Sequence, residues 1–112
     1  MALNSNALNV MVNALAAAGT YISAHTADPS TGGANEVTGG SYARQQTTWG
    51  AASNGTRAGS QVTIPIPAAT TVTHWGVWSA ATGGTFYGFY DMADETFTSG
   101  GNLLVTPTLS AV

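Results

Sequence analysis

The chain has 112 residues, of which only 6% are charged: five carboxylates and two arginines, with no lysine, for a net charge of −3. An ordinary soluble domain carries about 25% charged residues, so here little repulsion keeps copies apart and few groups remain for acid–base or metal work. Arg44 and Arg57 are the two fixed cations, which disfavours binding to a phosphate backbone.

Hydrophobic residues make up 44% of the chain, with three Trp, four Tyr and three Phe, so it folds rather than staying disordered. Its length fits one domain spanning residues 1–112. The absence of cysteine excludes disulfides and thiol catalysis. Met1-Ala2-Leu3-Asn4 lacks the basic start of a signal peptide, and the apolar run from Val10 to Ala18 is too short to span a bilayer. Synthesis in a cytoplasm, with the product soluble unless a partner carries it elsewhere, is the expectation.

In chain order, Leu8, Met11, Val12 and Leu15 mark one stripe of a helix over about residues 5–18. Asn4 or Ser5 caps its start and Gly19 closes it. Asn6, Asn9 and Asn13 are expected on the opposite, polar face. Tyr21 to Thr26 reads as a strand, followed by a long loop opened by Asp28-Pro29 and closed by Gly39-Gly40. Ser41 to Trp49 reads as a second strand, and Asn54-Gly55 as a tight turn. Gln61 to Ile66 alternates apolar and polar residues, with Pro65 and Pro67 placing it at a sheet edge. Thr70 to Trp78 and Thr85 to Met92 flank a Gly83-Gly84 turn. Aromatics on both faces of the latter suggest a central strand or one that meets a neighbouring subunit. Leu103, Val105 and Leu109 mark a last strand. This pattern predicts a mainly β fold, an antiparallel β-sandwich or small barrel with one N-terminal α-helix.

The chemistry-bearing residues are sparse. His25, Asp28, Glu36 and His74 are the candidates for a metal, but no helical His-Glu-His spacing exists, and both histidines read as polar strand members. No serine lies in a Gly-x-Ser-x-Gly elbow, and Asp91, Asp94 and Glu95 read as a solvated acidic loop. No catalytic, cofactor or metal site is therefore expected. Trp49, Trp75, Trp78, Tyr87 and Tyr90 are candidates to line a sugar platform, although core filling and subunit contacts account for large rings more simply.

Three stretches resemble a family of small virion structural proteins of tailed bacteriophages and prophages, particularly those of actinobacteria. They are Ala24-His25-Thr26-Ala27-Asp28-Pro29, then Gly33 to Arg44 (GANEVTGGSYAR), then Gly76 to Phe86 (GVWSAATGGTF). The leading helix, with Asn9-Val10-Met11 and Asn13-Ala14-Leu15, shares the likeness. Such proteins are labelled head-decoration, minor tail or tail-fibre proteins, and the resemblance implies no catalytic residues. Arg44 is expected to pair with Glu36 or Asp28 and pin the 27–40 loop to the second strand. The resulting expectation is a non-enzymatic virion component, foremost a capsid decoration protein bound in many copies. A minor tail or tail-fibre protein, or a carbohydrate-binding module aiding adsorption, is the alternative. Its partners are expected to be itself, as a homotrimer, and phage capsid or tail proteins, with host glycan a further candidate and no nucleic acid or membrane.

Overall fold

A computed structural model of the protein describes residues 1–111; Val112, the last residue of the expected domain, lies outside the described residues. Helix α1 runs over Ser5–Ala18, with the Asn4 side chain accepting from the Ala7 N–H at 3.0 Å and Gly19 closing the last turn onto Leu15. Eight strands follow: β1 Tyr21–His25, β2 Gln45–Gln46, β3 Thr56–Ala58, β4 Val62–Ile66, β5 Thr70–Trp78, β6 Phe86–Phe97, β7 Gly101–Val105 and β8 Thr108–Ser110. They form a four-stranded sheet in the order β2-β1-β5-β6 and two pairs, β3-β8 and β4-β7, all antiparallel. The result is a mainly β fold of small-sandwich type with one N-terminal helix.

Strand alternation sets which residues meet. Ile22, Ala24, Trp75 and Val77 line the inner face of the large sheet and are buried. Opposite them, Val62, Ile64 and Ile66 of β4 and Leu103 and Val105 of β7 point inward, while Thr63 and Leu104 face out. Val12 and Ala16 of α1 and Leu109 of β8 close one end of this core. Each fully buried aliphatic side chain here contributes about 1.5–3 kcal/mol.

Several expectations need correction. The second strand shrinks to Gln45–Gln46, with Trp49 reduced to an isolated bridge to Gly59. Pro107 splits the last strand into β7 and β8, and the short β3 pairs with β8. β6 is longer than expected and is the outer strand of its sheet, not a central one. The helix departs most from its expectation. Asn9 accepts from the Gly55 N–H at 2.7 Å and Asn13 accepts from Arg57 at 3.1 Å, so these two asparagines serve the body of the fold. Asn6 stays exposed as expected and Asn13 keeps an exposed edge, but the outward face also carries Val10, Met11, Ala14 and Ala17.

The Asn54-Gly55 turn holds α1 against β3. Both residues have positive φ, 50° and 77°, and Ser53 and Thr56 exchange backbone hydrogen bonds across them. A Cβ on Gly55 would lie 2.7 Å from that of Leu8. Gly55→Ala is therefore expected to lose about 1–3 kcal/mol in urea denaturation. Gly32→Ala, where a Cβ meets nothing within 4 Å, stays within about 0.5 kcal/mol.

Candidate functional site

On its outer face the large sheet carries Ser23 and His25 from β1, with Gly76 and Trp78 from β5 beside them. A second sheet does not cover this face; the loop between β1 and β2 does. Gly33, at φ 74°, brings the loop backbone so close that a Cβ there would collide with the Trp78 ring. Loop carbonyls laid over a sheet need donors, and the polar side chains below supply them. His25 Nδ1 lies 2.8 Å from the Ala34 carbonyl oxygen and Nε2 lies 2.7 Å from Ser23 Oγ. Because a carbonyl only accepts, Nδ1 carries the proton and Nε2 accepts from the Ser23 hydroxyl. Ser23 Oγ accepts in turn from Trp78 Nε1 at 2.9 Å. Gly76 leaves room for this chain: a Cβ there would lie 2.8 Å from Ser23 Oγ and 2.7 Å from the Phe86 ring.

Arg44 closes the cluster. Its Nε and Nη2 each donate to Glu36 at 2.9 Å, a two-pronged pair. Its Nη1 donates to the carbonyls of Ala80 and Gly83, at 2.9 and 2.8 Å, and the guanidinium carbon stands 3.6 Å above the Trp78 ring. Tyr42 donates its hydroxyl to Glu36 at 2.6 Å and accepts from the Ala24 N–H at 3.1 Å. Among the described residues, no buried side-chain nitrogen or oxygen lacks a partner.

Burial pushes the Glu36 carboxyl up, but the Arg44 and Tyr42 hydrogen bonds and the Arg44 charge outweigh it and hold it below its ordinary value. Burial pushes the His25 imidazole down, further than its bond to Ala34 raises it. The Tyr42 hydroxyl is driven far up by burial and by its donation to Glu36. At neutral pH the cluster thus holds one carboxylate, one guanidinium and a neutral imidazole.

Of the sequence candidates, Arg44 and Glu36 come together while Asp28 stays apart. Its carboxylate accepts from the Ser30 N–H and its carbonyl from the Asn35 side chain, which shapes the turn. His74 stands 3.7 Å from Asp91 and touches Thr73, and no group of three or more His, Asp or Glu among the described residues is placed to hold a metal. The five aromatics do not gather on one platform. Trp49 is buried and donates to the Gly19 carbonyl, Trp78 lies beneath Arg44, and Trp75 is buried beneath a stacked Tyr90. Tyr87 and Tyr90 are the exposed members.

Ser23, Tyr42 and Gly76 escaped the sequence reading. The i, i+2 spacing of Ser23 and His25 on a strand was the available signal, since it sets both on one face. The pair has nucleophile–base separation, yet both residues are wholly buried and His25 leans on a neutral carbonyl. No substrate carbon reaches Ser23 Oγ without removing the loop.

The model of a family described as Podophage GP4 fiber I protein gp80 matches residues 2–112. The chain belongs to this family. Membership makes it a phage structural protein, a component of the virion, in a family described by its fibre. A search of curated proteins finds no match.

Two expectations follow from the cluster. Arg44→Ala strands Glu36 and should cost about 3–5 kcal/mol in urea denaturation. It should also speed amide exchange across residues 27–40; unchanged exchange there would mean the loop is held by something else. Acidification should act in two steps. His25 and Glu36 each bind a proton less readily folded than unfolded, so stability falls first as pH drops below about 6.5 and again below about 4.5. In thermal melts against pH, His25→Asn should remove the upper step and leave the lower.

Proposed function

We propose that the chain is a non-enzymatic subunit of the fibre apparatus of a phage tail, joined to neighbouring copies along the outer face of α1. The observation that carries this reading is the polarity of that helix. α1 has no charged residue; Asn9 and Asn13 are engaged by the Gly55 N–H and by Arg57, which leaves Asn6 as the exposed asparagine with no part in this tie. Val10 and Met11 are 68% and 49% exposed. Ala7, Val10, Ala14 and Ala17 recur at the three–four spacing of a coiled-coil seam, directly opposite the buried Val12 and Ala16. Alanine along such a seam lets helices approach closely, and the lack of charge removes any repulsion between identical chains. Fibres are usually three-fold, so a trimer about this seam is the natural unit; that step is analogy.

The family description favours the fibre over capsid decoration. The non-enzymatic part of the reading rests on the Ser23–His25 pair, which is wholly buried beneath the loop.

Immunogold labelling of virions tests the location: label at the tail fits the proposal, and label spread over the head would return the reading to decoration. The seam is tested by Val10→Asp combined with Met11→Asp. The double variant should fold with unchanged circular dichroism, sediment as a monomer where the parent is a trimer, and be missing from particles. A monomeric parent would refute the seam.

A further inference from the structure

We infer that the groove between β6 and β8 is a binding site for a neutral saccharide. This goes beyond the structural role and does not depend on it, since an isolated chain either binds sugar or does not. The site is built by an irregularity in β6. Along β5 and β6, Val77 pairs with Gly88 but Trp78 pairs with Phe86, so Tyr87 is an extra residue in the ladder. A bulge of this kind sets two residues of one strand against one of the other and re-aims a side chain. Tyr87 accordingly turns to the inner side of the sheet: a Cβ on Gly19 would lie 3.1 Å from its ring and 2.8 Å from Val77. Tyr90 reaches the same side, paired with Trp75 and stacked on it at 5.6 Å and 28°.

Two tyrosines thus flank Gly88, where a Cβ would meet nothing within 4 Å. The space between them is a groove of about 390 Å³, with Trp75 and Val77 in its floor and Leu15, Thr108 and Leu109 on its far wall. That volume falls within the range of ligand sites, which runs from about 300 to 1,000 Å³. Tyr87 and Tyr90 are 42% and 56% exposed, and the buried Trp75 fixes the second of them in place.

The lining selects the ligand. No charged side chain borders the groove, so nothing there compensates a phosphate, a carboxylate or an ammonium group. Amphipathic tyrosine rings offer flat apolar faces with hydroxyls at their tips, the counterpart of a pyranose with its apolar face and hydroxyl rim. The outer edge of β6 adds main-chain donors and acceptors that no neighbouring strand of the chain takes. A second copy adding a strand at this edge is disfavoured, because β6 also gains residues against β5 between Asp91 and Glu95. Two irregularities in one strand spoil the flat ladder that strand addition needs.

The test is binding of the full chain to an array of neutral oligosaccharides of hexose, deoxyhexose and N-acetylhexosamine units, with phosphorylated and sialylated glycans as controls. At least one neutral glycan should bind, with saturation transfer in NMR from the tyrosine ring protons. Tyr90→Ala should weaken that binding about five- to tenfold, the loss of one stacked ring. Gly88→Leu, whose Cβ meets nothing within 4 Å and whose remaining side chain projects into the groove, should abolish it while the urea midpoint is held. Failure of every neutral glycan, binding confined to the charged controls, or full affinity in Gly88→Leu would each overturn the assignment. Self-association lost in Gly88→Leu, with no glycan bound, would give the groove to a second copy and also overturn it.

Discussion

Arg44 carries one positive charge and fixes three separate pieces of chain. Four of its donor contacts go to Glu36 in the loop and to two carbonyls of the 79–85 turn, and its plane lies on Trp78 of β5. A lysine would deliver the charge but neither the fork nor the stacking. The outer face of the sheet depends on this contact. In a sandwich that face is normally polar and open to solvent; here it is covered by loop backbone, whose carbonyls need donors. The buried chain from Trp78 through Ser23 and His25 to Ala34 is the consequence. Its polar groups are affordable because each has a partner.

The second arginine is also used internally. Arg57 donates to the carbonyls of Gly50 and Trp49 and to Asn13 of α1, tying the helix to the turn region beneath it. With both arginines hydrogen-bonded to the fold, the exterior has carboxylates at Asp28, Asp91, Asp94 and Glu95 and large neutral areas elsewhere. For a freely diffusing protein such a surface invites association. For a virion subunit it is suited to packing, because neutral faces lose little solvation when they meet. The scarcity of charge in the sequence and the inward use of both arginines are therefore two sides of one constraint.

The regular parts of the fold were legible because their signals are local. The period-2 alternation of Val62, Ile64 and Ile66, the Asn54-Gly55 turn and the Leu8–Met11–Val12–Leu15 stripe each need only neighbouring residues to be read, although Met11 proves to be exposed. Arg44's partner was narrowed to two carboxylates, since so few charges exist; choosing Glu36 required knowing where the loop folds back. The role of the helix asparagines was only partly legible, for an instructive reason: Asn6 is exposed as expected, whereas Asn9 and Asn13 are engaged by the fold. Asparagine ordinarily marks a solvent face, but Asn9 and Asn13 are consumed by the Gly55 N–H and by Arg57, and both partners lie over forty positions away. No local pattern carries that information. The same holds for β2, where Ser41 to Trp49 has strand-like composition but its pairing with β1 ends after two residues.

β6 shows how one irregularity serves two ends. A twelve-residue outer strand rich in aromatics and without lysine would be a ready template for uncontrolled pairing. The extra residue at Tyr87 interrupts the ladder on the uncharged half, and the irregularity between Asp91 and Glu95 interrupts it on the half that already repels. An aromatic edge is thereby kept from extending the sheet. Had β6 stayed regular, Tyr87 would have alternated to the outer face, away from Tyr90, and the space over Gly88 would have had one ring beside it instead of two. The device that blocks strand addition is thus the one that assembles the groove, which is why an exposed aromatic strand is compatible here with a protein that must assemble in a defined way.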